Sequence, residues 1–227
     1  GLLVTPVETV RDFLRRARAQ GVQVATHAIG DRGNRLVLDA YRDTFADEPA
    51  ALAAARWRIE HAQVIAPQDI PRFAAMGVIA SMQPSHAISD LHFAPSRLGP
   101  DRLAGAYAWR SLIDSGAVLA AGSDAPVEKG DPLIEFYAAA FRRHLAGYAG
   151  PDWRAEQALS RAEALKALTW GPAYASFSEQ GRGRLAPGMR ADVSVFSVDL
   201  MQAPPEAIAA GAAVLTVCLG RVTHSAL

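Results

Sequence analysis

His27, His61 and Asp124 are the residues whose types and spacing best suit catalysis. His27 closes the run VQVATH, His61 closes RWRIEH, and Asp124 follows AVLAAGS. Each comes after a short β-rich run, so each stands at the C-terminal end of an expected strand. In parallel α/β folds ligands bind at that edge, because βα loops and helix N-termini converge there. A single strand-end histidine is more often a hydrogen-bonded structural residue, and Asp124 alone would suit a turn before Pro126. Together they are harder to house. Two imidazoles and a carboxylate buried in one place are costly unless something pairs them, and a divalent cation is the simplest partner. Nitrogen and oxygen donors suit zinc, iron, nickel or manganese better than magnesium, and ligand type alone does not choose among them. Such a cation lowers the pKa of bound water to about 7. Asp124 would then take a proton from that water and pass it to the leaving group. Gln83 and His86 follow a third apolar run, VIASMQ, and are expected to contact substrate.

The elements that must position these residues alternate along the chain. The first helix is expected to open with a capping box, Thr5 as N-cap, Pro6 in the first turn and Glu8 three residues after the cap. Val7, Val10, Phe13, Leu14 and Ala17 form its apolar stripe, and Arg11, Arg15, Arg16 and Arg18 a solvated face. Strands are expected at 22–27, 56–61, 78–83 and 117–122, separated by helices from about Asn34 to Phe45, Pro67 to Met76 and Asp101 to Asp114. The stretch before Asp101, rich in Pro, Ser and His, reads as a loop. Another helix begins near Pro132, and Ser160 with Glu163 forms a second capping box.

Four strand-then-helix units in a row imply parallel strands joined by right-handed crossovers. A doubly wound sheet and a β/α barrel share that pattern. No GxGxxG follows a strand, which weakens the nucleotide-binding form of the open sheet. After residue 178 the texture becomes turn-rich and β-rich, so the chain divides into a βα part, 1–177, and an accessory segment, 178–227.

With 23 basic and 23 acidic residues among 227, the chain has no basic surplus, and neither nucleic acid nor a membrane is an expected partner. No apolar stretch is long enough to span a bilayer. Cys218 is the single cysteine, so no disulfide forms within the chain, which fits a reducing, cytoplasmic location. The chain opens at Gly1 and enters a helix almost at once, from which a lost upstream segment is expected. That leaves open whether a signal peptide preceded it.

The motifs THAIGDRGN, RIEHAQ, MQPSH and AGSDAPV, followed by GRGRLAPGMRADVSVF, resemble amidohydrolase family 3 of the amidohydrolase superfamily. That branch includes proteins similar to N-substituted formamide deformylases. The resemblance implies the C-terminal half of a TIM-type (β/α)8 barrel, strands five to eight, followed by the C-terminal part of a small β-sandwich. It implies that His27 and His61 bind one metal, and that Asp124 binds the other and transfers the proton. The expected cofactor is one or two divalent ions, with zinc foremost. The HxH pair of the first barrel strand and the bridging residue of the fourth are absent from these residues. The expected partners are accordingly a small amide-type substrate and a missing N-terminal half of the barrel, or else a second copy in a homodimer.

The expected function is hydrolysis of a non-peptide carbon–nitrogen bond, in an N-substituted amide or formamide, with the chain alone inactive. The alternative is a non-catalytic remnant or interaction module on the same scaffold. A serine hydrolase is set aside, because there is no GxSxG elbow. Among other candidates, Asp31 is expected to cap a helix, His92 to lie at a pocket rim, and His144 to sit at a helix end. His224 is expected to be inert, and Trp109 and Trp170 to be core.

Overall fold

Four short apolar runs pair side by side into one sheet in the computed structural model, which describes residues 2–150 and 153–227. Gly1, on which the expectation of a lost upstream segment rests, lies outside the described residues. The sheet order is β1 (Ala25–Ala28), β2 (Arg58–His61), β3 (Ile79–Met82) and β4 (Leu119–Ala121). β1 and β2 run parallel with Ala28 opposite His61, and β2 and β3 run parallel with Arg58 opposite Ile79. Consecutive parallel neighbours require a crossover between each pair, and the helices supply it.

The chain divides into two units. The first runs to Met82 and takes in Phe93–Ala120 and a short return ending at Gln157. The second takes in Gln83–His92, the segment beginning at Ala121, and Ala158–Leu227.

In the first unit α1 (Val7–Ala19) buries Leu14 and Ala17 and packs on α2 (Asp31–Thr44). The helix starts one residue later than a Thr5 cap requires. Pro6 occupies the cap position, and no side chain bonds there. A residue preceding proline is pushed towards extended backbone, which takes Thr5 out of the helix. α3 (Pro49–Ala55), unforeseen in the sequence, precedes β2, and α4 (Ile70–Met76) precedes β3. The expected helix over 101–114 is interrupted. α6 (Ala94–Leu103), broken at Gly99, covers only its first residues, and α7 (Trp109–Asp114) starts afresh. Trp57 anchors the core, with Tyr41 and Phe45 rings set edgewise at 5.1 and 4.9 Å. Burial pushes the Tyr41 phenol up, so it stays protonated and donates to the Arg58 carbonyl, while its oxygen pairs with the Thr26 hydroxyl at 2.7 Å.

The turn after β2 is fastened to the segment that follows α6. Val64 bridges Ala106, Ile65 N–H donates to the Gly105 carbonyl at 2.9 Å, and Tyr107 N–H donates to the Gln63 carbonyl at 2.7 Å. This fixes the chain just beyond His61.

The second unit contains α5 (Pro84–Asp90), in the stretch read as loop, with α8 (Pro132–Phe141), α9 (Arg161–Leu168), α10 (Trp170–Ala175) and α11 (Pro205–Ala209). The Ser160–Glu163 capping box forms as expected. β5 (Val193–Phe196), β6 (Ala213–Cys218) and β7 (Arg221–Ser225) make an antiparallel sheet that lies wholly after residue 178.

Seven strands therefore run from Ala25 to Ser225 among the described residues, nearly the whole chain. This corrects the assignment of the fold to strands five to eight of a TIM-type barrel with part of a sandwich. Successive βα units share one hydrophobic pattern, so a run of them carries no ordinal number that periodicity could reveal. Among the described residues no helix is long and apolar enough to cross a membrane.

Gly105 tests the fastening beyond His61. A Cβ there would stand 1.6 Å from the Ile65 carbonyl oxygen, so backbone must shift. Gly105→Ala is expected to destabilise the chain by roughly 3 kcal/mol, read as a lowered urea midpoint. An unchanged midpoint would show that the turn is not held there.

Candidate metal centre

His61 ends β2 and is buried, with φ 73°, and Ala62 follows at φ 44°. Left-handed backbone at residues other than glycine costs roughly 1–2 kcal/mol each and persists only where surroundings impose it. The surroundings are specific. Asn34, fully buried on α2, points its Nδ2 at the carbonyls of Ala28, Ile29, Gly30 and Val64, at 3.0–3.3 Å. One amide thus ties the turn after β1 to the turn after β2. His27, on β1, is exposed, and its ring sits edgewise to that of His61 with centroids 4.4 Å apart.

In the second unit Gln83 stands at the cap position of α5 and His86 lies in its first turn, both buried. Asp124 follows β4, is exposed, and has φ 58°. His86 Nε2 and Asp124 Oδ2 are 3.9 Å apart, too far for a direct hydrogen bond. Two donors each about 2.1 Å from one tetrahedral ion stand about 3.4 Å apart, so a closure of roughly half an ångström would let the pair share a cation. Glu135, on α8, is buried and accepts the Ser85 N–H at 2.9 Å. Burial pushes its carboxyl up to about 7, against the pull of that N–H.

In the second unit, His86 and Asp124 are side chains whose spacing suits a shared metal ion. An imidazole and a carboxylate are donors that a divalent ion of the zinc type accepts. In the first unit, the rings of His27 and His61 adjoin each other. Histidine beyond a proline-led helix start gave no periodic signal, which is why His86 reads as a substrate contact in the sequence. Asn34 and Glu135 were not foreseen, since one lies in a helix's first turn and the other among first-turn acids.

The remaining candidates resolve simply. Asp31 is the first residue of α2 rather than its cap, and the Arg102 guanidinium holds its carboxyl below the usual range. His92 stacks on Tyr148 with ring centroids 5.0 Å apart. His144 lies beyond the end of α8, where its Nδ1 accepts the Ala146 N–H. His224 lies on β7 with its ring by the Ala213 carbonyl. Trp109 is core, whereas Trp170 is half-buried and stacks on Tyr174.

Comparison with known proteins now bears on this donor set. The family model described as "Amidohydrolase family" matches residues 2–224. The chain belongs to the amidohydrolase family. It is 37% identical over 199 residues to the putative amidohydrolase YtcJ of Bacillus subtilis, covering 88% of this chain and 37% of that protein. It is 28% identical over 191 residues to the N-substituted formamide deformylase of Arthrobacter pascens, covering 84% of this chain and 34% of that protein. It also resembles the crystal structure of an uncharacterised metal-dependent hydrolase from Pyrococcus horikoshii, with TM-score 0.73 and 31% identity, over 84% of this chain and 37% of that one. The chain spans little more than a third of the length of the curated relatives it matches.

The span of the family match corrects two expectations. This amidohydrolase chain matches from residue 2 to residue 224, not as a C-terminal half. The expectation of a missing N-terminal half as partner rested on that C-terminal-half assignment, which the span of the match overturns. Both expectations rested on the likeness of the motifs to strands five to eight and on the absence of an HxH pair.

Glu135 generates a pH-dependent prediction. Its folded pKa of about 7 lies above the unfolded value of 4.5, so the folded chain binds this proton more tightly. The corresponding stability is full below pH 4.5 and is lost as pH rises through 7, a change of roughly 3 kcal/mol. Glu135→Gln is neutral at every pH and should be the more stable chain at pH 8 but not at pH 4. Thermal melts at the two pH values check this, and an equal difference at both would contradict it.

Proposed function

We propose that this amidohydrolase hydrolyses a non-peptide carbon–nitrogen bond, in an N-substituted amide or formamide, with zinc as its metal. The observation that carries the reading is the pair His86 and Asp124, 3.9 Å apart in the second unit, with Asp124 held in left-handed backbone. In the first unit His27 and His61 set two further imidazoles edge to face. When bound, the cation supplies Lewis acidity that brings the pKa of a water to about 7.

The chain's own residues do the rest. The Asp124 carboxylate, exposed at the end of β4, takes a proton from the attacking water and returns it to the departing nitrogen. The amide of Gln83, which stands at the cap position of α5, offers an N–H to a substrate carbonyl. The substrate class is supported by the relatives' descriptions as amidohydrolase and formamide deformylase. The reading assigns catalysis to 1–177 and an accessory role to 178–227, where the antiparallel sheet lies. A cytoplasmic location is supported by Cys218, a free, exposed thiol.

The test is zinc content by elemental analysis, followed by hydrolysis of N-substituted formamides by the unaltered chain and by Asp124→Asn. The variant is expected to lose on the order of a thousandfold in kcat. Full activity in the variant would remove the proton-transfer role, and a chain that takes up no zinc would remove the metal.

A further inference from the structure

Glu135 is 3% exposed on the fourth residue of α8, and among the described residues no cation pairs with it. An unpaired carboxylate in that setting costs free energy, and a leucine would fill a similar volume without the penalty. The group's one directional bond explains its presence. Its Oε2 accepts the N–H of Ser85 at 2.9 Å, in buried surroundings. Ser85 is the residue before His86, and both are buried in the first turn of α5.

α5 is tied a second time to the segment that follows β4. Ser89 Oγ donates to Glu128 Oε1 at 2.9 Å, at the surface. Asp131 caps α8 by accepting the Leu133 N–H at 2.9 Å, so the start of α8 is itself fixed. The two ties bracket His86 along α5, and α5 packs directly on α8. His86 Nε2 lies 3.9 Å from Asp124 Oδ2 between them. Of the two ties, the exposed one competes with water and is weak. The buried one is not diluted in that way.

We propose that Glu135 is a positioning residue: by holding the Ser85 N–H it fixes the turn that carries His86 and sets the His86–Asp124 spacing. The inference rests on reading His86 and Asp124 as ligands of one cation. What positions His86 is the acceptor oxygen and not the negative charge, so an uncharged acceptor in the same place should serve.

Cobalt(II) titration of the full chain, followed by its visible absorption band, tests this. The probe reports affinity and ligand geometry without reference to turnover. Glu135→Gln, which keeps an acceptor oxygen, is expected to bind cobalt within about threefold of the unaltered chain and with the same band. Glu135→Leu is expected to bind at least about tenfold more weakly, with a shifted band, the range seen when groups that orient metal ligands are removed. If Glu135→Leu does not fold, Glu135→Asp decides, because its carboxylate is withdrawn by one methylene; it is expected to weaken cobalt binding severalfold. Unaltered cobalt affinity in Glu135→Leu or Glu135→Asp overturns the inference alone, as does a loss in Glu135→Gln equal to that in Glu135→Leu. Failure of the unaltered chain to bind cobalt overturns the metal reading and the positioning role together.

Discussion

Side chains at the ends of parallel strands are placed only as accurately as the turns beyond them are held, and in this chain backbone–backbone and side-chain–backbone hydrogen bonds hold those turns. A strand fixes the direction of its last residue. The next two residues leave the ladder and are free to fray. Here the turn after β2 is pinned at Gln63, Val64 and Ile65 by backbone bonds to Gly105, Ala106 and Tyr107. Asn34 draws in the turns after β1 and β2 with one buried amide. Each bond replaces water on groups that burial would otherwise orphan. Their combined effect is to sustain left-handed backbone at His61 and Ala62, which an unrestrained chain would abandon.

The same economy of means governs the second unit. Asp124 is in left-handed backbone at φ 58°, a conformation that aspartate tolerates better than most residues. Its neighbour in the donor group, His86, sits on a helix of seven residues, too short to be stable by itself. That helix is held from outside, through packing on α8 and through Glu135. The cost is a buried carboxyl whose pKa is raised to about 7. Stability given up at one position thus secures geometry at another, as is usual where side chains must be held for chemistry.

The strand ends were legible in the sequence because two signals coincided, a β-rich run and an ionisable residue closing it. His61 and Asp124 emerged from that coincidence. The Ser160–Glu163 box was legible because its two partners lie three residues apart and satisfy each other locally. Thr5 carried the same spacing and failed, since Pro6 alters the backbone before it. α5 and α6 were illegible for a related reason. Proline opens α5, and in α6 proline stands at the start and again after Gly99; in sequence these punctuate a loop and in space they begin helices. Asn34 and Glu135 declare nothing in sequence, because their roles depend on carbonyls and amides brought near by packing.

The central claim is that His86 and Asp124 hold one cation. Anomalous diffraction at the zinc edge, from crystals of the full chain grown with zinc, measures it directly. The account predicts a strong peak at about 2.0–2.2 Å from a nitrogen of His86 and an oxygen of Asp124. Zinc found only on surface histidines such as His224, with no peak at those two side chains, would contradict it.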